Sequence, residues 1–357
     1  MGLFPVAAVA GRIYSITGIP LGSGLTQVTV AGMNDAGQIV GSAATGFLYT
    51  PGSGVTNLDL TEPIAINNRG QILTRAGLLI TPGSGTSNLL PELQAAFPGE
   101  TIFFSGLNNN GQTIASGDLR QSGSSVAAQI LLVTPGVGYE VIAAAGTSRA
   151  FGGGGGALND RGDVLYNTGF PPRCSFVHSE DGQTGLVQCG SANGVAYAIN
   201  NLGQVAGSYQ LSGIYSPYGF PVLGSVNGPV VNLTADFSQY LGGAATALNN
   251  AGQSVGYVVV NPSGATVPVL FDSGDVINLN DLLPASSGWQ ITTATAINDA
   301  GQIAGSGIFD GNVEAYVLSP AAVAAPEPSG ALLLAGVWLL LTGLRRFPTR
   351  REHARRT

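Results

Sequence analysis

Residues 297–305 read INDAGQIAG, and six earlier stretches repeat that phrase with small changes. They are MNDAGQIVG from Met33, INNRGQILT from Ile66, LNNNGQTIA from Leu107, LNDRGDVLY from Leu158, INNLGQVAG from Ile199 and LNNAGQSVG from Leu248. Each copy runs apolar residue, Asn, Asn or Asp, one variable position, then Gly. This order suits a tight hairpin, because Asx side chains bond nearby backbone and Gly takes the left-handed conformation that side chains resist. The expected turn glycines are Gly37, Gly70, Gly111, Gly162, Gly203, Gly252 and Gly301. They span 264 residues in six steps, a mean of 44, which is the spacing of propeller blades.

Strand-like runs follow each copy, at Gly46–Thr50, Gly77–Thr81, Gln129–Thr134, Cys174–Ser179, Gly219–Leu223, Val267–Asp272 and Ala315–Ser319. Gly-rich or Pro-Gly turns then lead into fourth runs at Val55–Leu60, Thr86–Leu90, Tyr139–Ala143, Thr184–Cys189, Val230–Leu233 and Val276–Leu279. Two hairpins per repeat make one four-stranded blade. The seventh repeat lacks a fourth run, while an orphan strand, Arg12–Ile19, precedes the first. Pairing the two closes a ring and covers two bare sheet edges, which an open solenoid would not require. The expected fold is therefore all-β: a seven-bladed β-propeller of four-stranded blades over residues 12–320, closed by the N-terminal strand, plus a C-terminal transmembrane helix.

Composition narrows the chemistry. The 357 residues include 54 Gly without a three-residue period, which excludes collagen. All 13 basic residues are Arg; the missing Lys removes the Walker A phosphate loop and Schiff-base catalysis. The two histidines, His178 and His353, are too few for a multi-His metal centre. Six Arg follow Leu344, leaving seven Arg against 19 acids before it, a net of −12. Such a body repels nucleic acid.

The far C-terminus has a three-part order. Residues 321–329 form an Ala-rich linker containing Pro326, Glu327 and Pro328; residues 330–344 are apolar; residues 345–357 hold Arg345, Arg346, Arg350, Arg351, Arg355 and Arg356. As a helix the apolar stretch spans about 22 Å, against about 30 Å for a hydrocarbon core. It reads as a short transmembrane helix with a cytoplasmic tail by the positive-inside pattern, the alternative being a buried terminal helix. Residues 1–11 are apolar and end in Ala8-Val9-Ala10, but lack a basic start. They suit a truncated signal segment whose start codon lies upstream, or else a chain that is not exported by the usual route.

The C-terminal order resembles the PEP-CTERM sorting signal of Gram-negative bacteria. That resemblance implies export and cleavage near Pro326–Pro328 by an exosortase, a membrane cysteine peptidase. Over residues 12–319 the repeats resemble the HAF family of extracellular bacterial repeats, best at Gly288–Gly307 (GWQITTATAINDAGQIAGSG). The naming His-Ala-Phe tripeptide is absent; Thr45-Gly46-Phe47 and Glu314-Ala315-Tyr316 stand in its place. The family carries no catalytic residues to transfer.

Candidate sites divide between chemistry and architecture. Asn34, Asn67, Asn108, Asn159, Asn200, Asn249 and Asn298 could ring a calcium ion or a sugar, or simply build turns; without an EF-hand-like loop, turns are the expectation. The Gly152–Gly156 run lacks the Lys and helix of a phosphate cradle. Cys174 and Cys189 flank a plausible turn and would sit opposite each other as a cross-strand disulfide outside the cytoplasm. A metal site of Cys174, His178 and Cys189 lacks a fourth ligand, and a triad through His178 lacks a nucleophile elbow. No cofactor or metal is expected. The leading expectation is a non-enzymatic surface or secreted protein that binds, or joins the extracellular matrix, with an exosortase-type peptidase and cell-surface polysaccharide as the expected partners. The rival is a secreted propeller hydrolase or lyase using carboxylates such as Asp118, Asp236 or Asp310. A permanently anchored membrane protein is the third reading.

Overall fold

Each copy of the phrase is the turn between the first two strands of an antiparallel sheet. All seven phrase glycines have positive φ, from 71° at Gly37 to 85° at Gly162. The computed structural model describes residues 14–22, 24–59, 62–117, 129–144, 156–168, 173–190, 194–210, 218–234 and 238–321. The chain divides into two units, Met1–Pro320 and Ala321–Thr357. The second lies outside the described residues apart from Ala321, and with it the expected linker and apolar span. Among the described residues, no helix is long and apolar enough to cross a membrane.

The first unit is a seven-bladed β-propeller of four-stranded blades. Blade 1 comprises Thr29–Met33, Ile39–Ser42, Gly46–Thr50 and Gly54–Asn57 in consecutive order, and blades 2 to 6 repeat the plan. Blade 7 differs. Its first strand is split into Trp289–Ile291 and Ala296–Ile297, followed by Ile303–Phe309 and Asn312–Pro320. Its outer strand is Tyr14–Ile19, antiparallel to Asn312–Pro320 with Tyr14 opposite Pro320 and Ile19 opposite Ala315. The two ends of the propeller thus complete one sheet, satisfying edge groups that would otherwise invite aggregation.

The core is not one mass but seven apolar seams, one between each pair of neighbouring blades. The seam joining blade 7 to blade 1 holds Ile19, Ala304 and Val317 against Val30, Ile39 and Phe47. Each blade is covered on both faces, so its middle strands are apolar at successive positions rather than alternating: Ile39, Val40 and Gly41 are all buried.

Two connections depart from the expected strands. The fourth run of blade 2 ends at Asn88, and Leu90–Ala96 is a helix with Pro91 in its first turn. Proline cannot donate to a sheet ladder but fits a helix start, where its missing N–H costs nothing. Leu93 and Phe97 then seal the seam between blades 2 and 3. In blade 6 the fourth strand stops at Asn278, whose side chain accepts the Asn280 N–H at 3.0 Å and caps the short 3-10 helix Leu279–Leu282.

Candidate functional site

The innermost strands deliver all seven Asx turns to one mouth of the central channel. The seven leading asparagines are buried there, 2–4% exposed, yet fully bonded. Asn34 shows the pattern: its Oδ1 accepts the Gln38 N–H at 2.9 Å, and its Nδ2 donates to Gln38 Oε1 at 2.9 Å. The same Nδ2 donates to the backbone carbonyl of Asn67 in the next blade at 3.0 Å. Every leading asparagine repeats this inter-blade bond, at 2.9–3.1 Å, and Asn298 returns it to Asn34.

The second Asx position forms a parallel circle. The backbone N–H of Asp35 donates to Asn68 Oδ1, and this step recurs through Asn109, Asp160, Asn201, Asn250 and Asp299 back to Asp35, at 2.7–3.0 Å. Only an acceptor oxygen is required here, which explains why Asp and Asn alternate freely. The first position needs both a donor and an acceptor, so it is Asn in every copy. The four amides of the second circle also donate to its three carboxylates: Asn68 to Asp35, Asn109 and Asn201 to Asp160, and Asn250 to Asp299.

Outward from the circle, the Gln after five of the turn glycines extends the network to the third strand. Gln38 donates to Thr50, Gln71 to Thr81, Gln112 to Thr134, Gln253 to Asp272 and Gln302 to Ser319. Blade 4 has Asp163 instead, buried and paired with Arg161 and Asn159. The mouth is a depression of about 270 Å³ floored by the apolar residue that opens each phrase. Its polar atoms are chiefly spent on joining blades, so its main work is ring closure.

A second cavity, of about 300 Å³, opens between blades 3 and 4. Leu132 and Ile142 form its apolar floor, and Tyr139, Glu140, His178 and Glu180 its walls. The Tyr139 ring leans on Phe97, with centroids 5.5 Å apart. His178 Nδ1 and Thr184 Oγ1 share a hydrogen bond of 2.8 Å. Among the described residues, neither Glu140 nor Glu180 has a hydrogen-bonding or ionic partner. On the same face of blade 4 as His178, Tyr166 stacks on Phe176 with ring centroids 5.5 Å apart. Burial pushes the Tyr166 phenol up, against the opposing effect of its hydrogen bond with Thr184.

The other expected site residues fall in separate places. Cys174 lies directly opposite Cys189 in the last hairpin of blade 4, and Cys174 is disulfide-bonded, which removes its thiol from any metal set. Among the described residues no group of three or more His, Cys, Asp or Glu could hold a metal ion. Asp310 sits in the exposed hairpin turn between Ile303–Phe309 and Asn312–Pro320, away from both cavities. Asp118, Asp236, Pro326, Glu327, Pro328 and the Arg tail, with Arg345, Arg346, Arg350 and Arg351, lie outside the described residues, as do residues 152–155 of the Gly run. Sequence reasoning missed Glu140 and Glu180, which belong to no repeated phrase and come to line one groove only when two blades pack.

The profile of a family described as a protein of unknown function (DUF3466) matches residues 176–318, from the third strand of blade 4 through blade 7. No curated protein matches the chain. Among solved structures, the chain is similar to an oligogalacturonate lyase from Vibrio parahaemolyticus, with 11% identity and a TM-score of 0.50 over 86% of this chain and 97% of that one. It is also similar to a protein assigned as a gluconolactonase, with 10% identity and a TM-score of 0.42 over 87% of this chain and 93% of that one. At 11% identity the likeness to the lyase speaks to the fold alone.

Proposed function

We propose that this chain is an exported propeller, delivered to the cell surface or beyond through its C-terminal sorting segment, and that it works by binding rather than catalysis. The observation that carries export is the disulfide at Cys174, with Cys189 directly across the ladder. Such bonds persist in oxidising compartments and are rare in a reducing cytosol. The Pro326-Glu327-Pro328 linker, the apolar stretch and the terminal Arg cluster agree with that destination. On this reading an exosortase-type peptidase removes residues from about Pro326 onward, and the released body loses six Arg. Binding is supported by the groove between blades 3 and 4, whose apolar floor and Tyr139 offer a contact surface, while the polar groups of the channel mouth are engaged in holding the ring together. Intact mass of the surface or secreted form tests the proposal: the expected species ends near Pro326–Pro328, and one retaining residues 330–357 sinks it in favour of a permanent anchor.

The hydrolase or lyase reading has one observation of this chain behind it, the unpartnered Glu140 and Glu180 sharing a groove with His178. Release of reducing or unsaturated ends from polysaccharide, abolished in Glu140→Gln or Glu180→Gln, would establish it in place of binding.

A further inference from the structure

We infer that the groove between blades 3 and 4 is a saccharide site selective for amino-bearing sugars over uronates. The inference rests on the binding reading above and gives it a place and a ligand class.

Four features of the groove point this way. Its volume, about 300 Å³, is at the small end of ligand pockets. Its floor, Leu132 and Ile142, is apolar and buried, and Tyr139 stands beside it with its position held by Phe97. An aromatic ring beside an apolar floor suits the C–H face of a sugar, while polar groups at the rim take its hydroxyls. The rim here carries Glu140, Glu180, Ser179 and the His178 ring, with Nδ1 of the last already bonded to Thr184.

The polar groups of the groove do not form a metal-binding set, although Glu140, His178 and Glu180 line one cavity. A metal needs its oxygen and nitrogen ligands within about 2.0–2.6 Å of one point. Several polar groups lining one groove instead suit a ligand with several polar atoms spread over a ring.

Charge sets the selectivity. Neither rim carboxylate is neutralised by a described cation, and a third, Glu92 Oε1, lies 3.6 Å from where a Cβ on Gly138 would stand. Gly138 itself lines the groove. A uronate carboxylate would meet uncompensated like charge, whereas a protonated sugar amine is attracted and donates to the carboxylates directly.

The test is calorimetric titration of the full-length protein with glucosamine oligosaccharides, and separately with galacturonate oligosaccharides of equal length. We expect the first to bind with an affinity that falls as salt rises, and the second to bind at least tenfold more weakly. The double variant Glu140→Gln/Glu180→Gln, both at exposed positions, should lose glucosamine binding by tenfold or more while its circular dichroism and melting temperature stay unchanged. Absence of glucosamine binding, equal binding of the two oligosaccharides, or an unaffected double variant would each overturn the inference. Export is read by intact mass, so its failure is distinguishable from failure at the groove.

Discussion

The Asn298 side chain donates its amide to the backbone carbonyl of Asn34 at 3.1 Å, across a separation of 264 residues. This bond is the seventh of a circle whose other six join consecutive blades, so it turns a row of repeats into a ring. Both groups are shielded from water, and a lost partner there costs more than the bond itself contributes.

Exchanging the two Asx positions should therefore have unequal effects. Asn298→Asp removes the donor to Asn34 and to Gln302 and buries a charge against a carbonyl; we expect a loss of about 2–4 kcal/mol. Asp299→Asn keeps the acceptor for the Asn250 N–H and should change stability by about 1 kcal/mol or less. Urea unfolding of both variants provides the comparison, and equal losses would contradict the donor argument.

Ring closure also depends on the lane occupied by Trp289. A Cβ on Gly18 would stand 2.8 Å from Trp289 Cζ2 and 3.2 Å from Glu314 Oε2. The indole stacks on Phe309 at 5.1 Å and meets Tyr316 edge-on at 6.2 Å, leaving little room to retreat. Gly18→Val should shift the Trp289 emission to the red and lower the melting temperature. A Trp338→Phe background makes Trp289 the single reporter, and an unshifted spectrum would show that the lane has slack.

For the cysteines, maleimide labelling of the denatured protein should find no thiol before reduction and two afterwards. The enclosed loop is short, so the bond should contribute about 3 kcal/mol by loop-entropy reasoning. Unfolding with and without reductant measures that contribution.

Alkaline sensitivity should follow from two buried tyrosines. Burial pushes the Tyr209 phenol up to about 12, opposed by its hydrogen bond to Ser175 and aided by Tyr197. Burial also raises Tyr316, which donates to the Thr293 carbonyl at 2.7 Å. Between about pH 10 and 12 an unfolded tyrosine has released a proton that folded Tyr209 still holds. The unfolded state then binds fewer protons, so stability falls as pH rises through this window. Tyr209→Phe should flatten that fall without altering stability's dependence on pH near neutrality. Unfolding midpoints measured from pH 7 to 12 check the slope.

Much of the ring was legible before any coordinates. Gly37 and its six counterparts mark turns because Asx-x-Gly is local chemistry, decided within five residues of chain. Their spacing, together with an orphan strand at one end and a missing one at the other, pointed to closure. The helix Leu90–Ala96 was not legible, since Thr86–Leu90 reads as a plain strand and only Phe97 and Leu93 docking into the next seam show what the connection covers.

What the sequence alone determined is the repeated hairpin, the blade count and the pairing of Tyr14–Ile19 with the last repeat, because these depend on neighbours in sequence or on counting strands. Tertiary structure decided which of the two Asx positions holds the ring and which residues share a groove. Asn34 and Asp35 look alike in the phrase; one points its amide at the next blade's carbonyl and the other offers only an oxygen. Glu140 and Glu180, 40 residues apart, line one groove because blades 3 and 4 pack face to face, a contact made by the summed burial of many apolar side chains and written in no single motif.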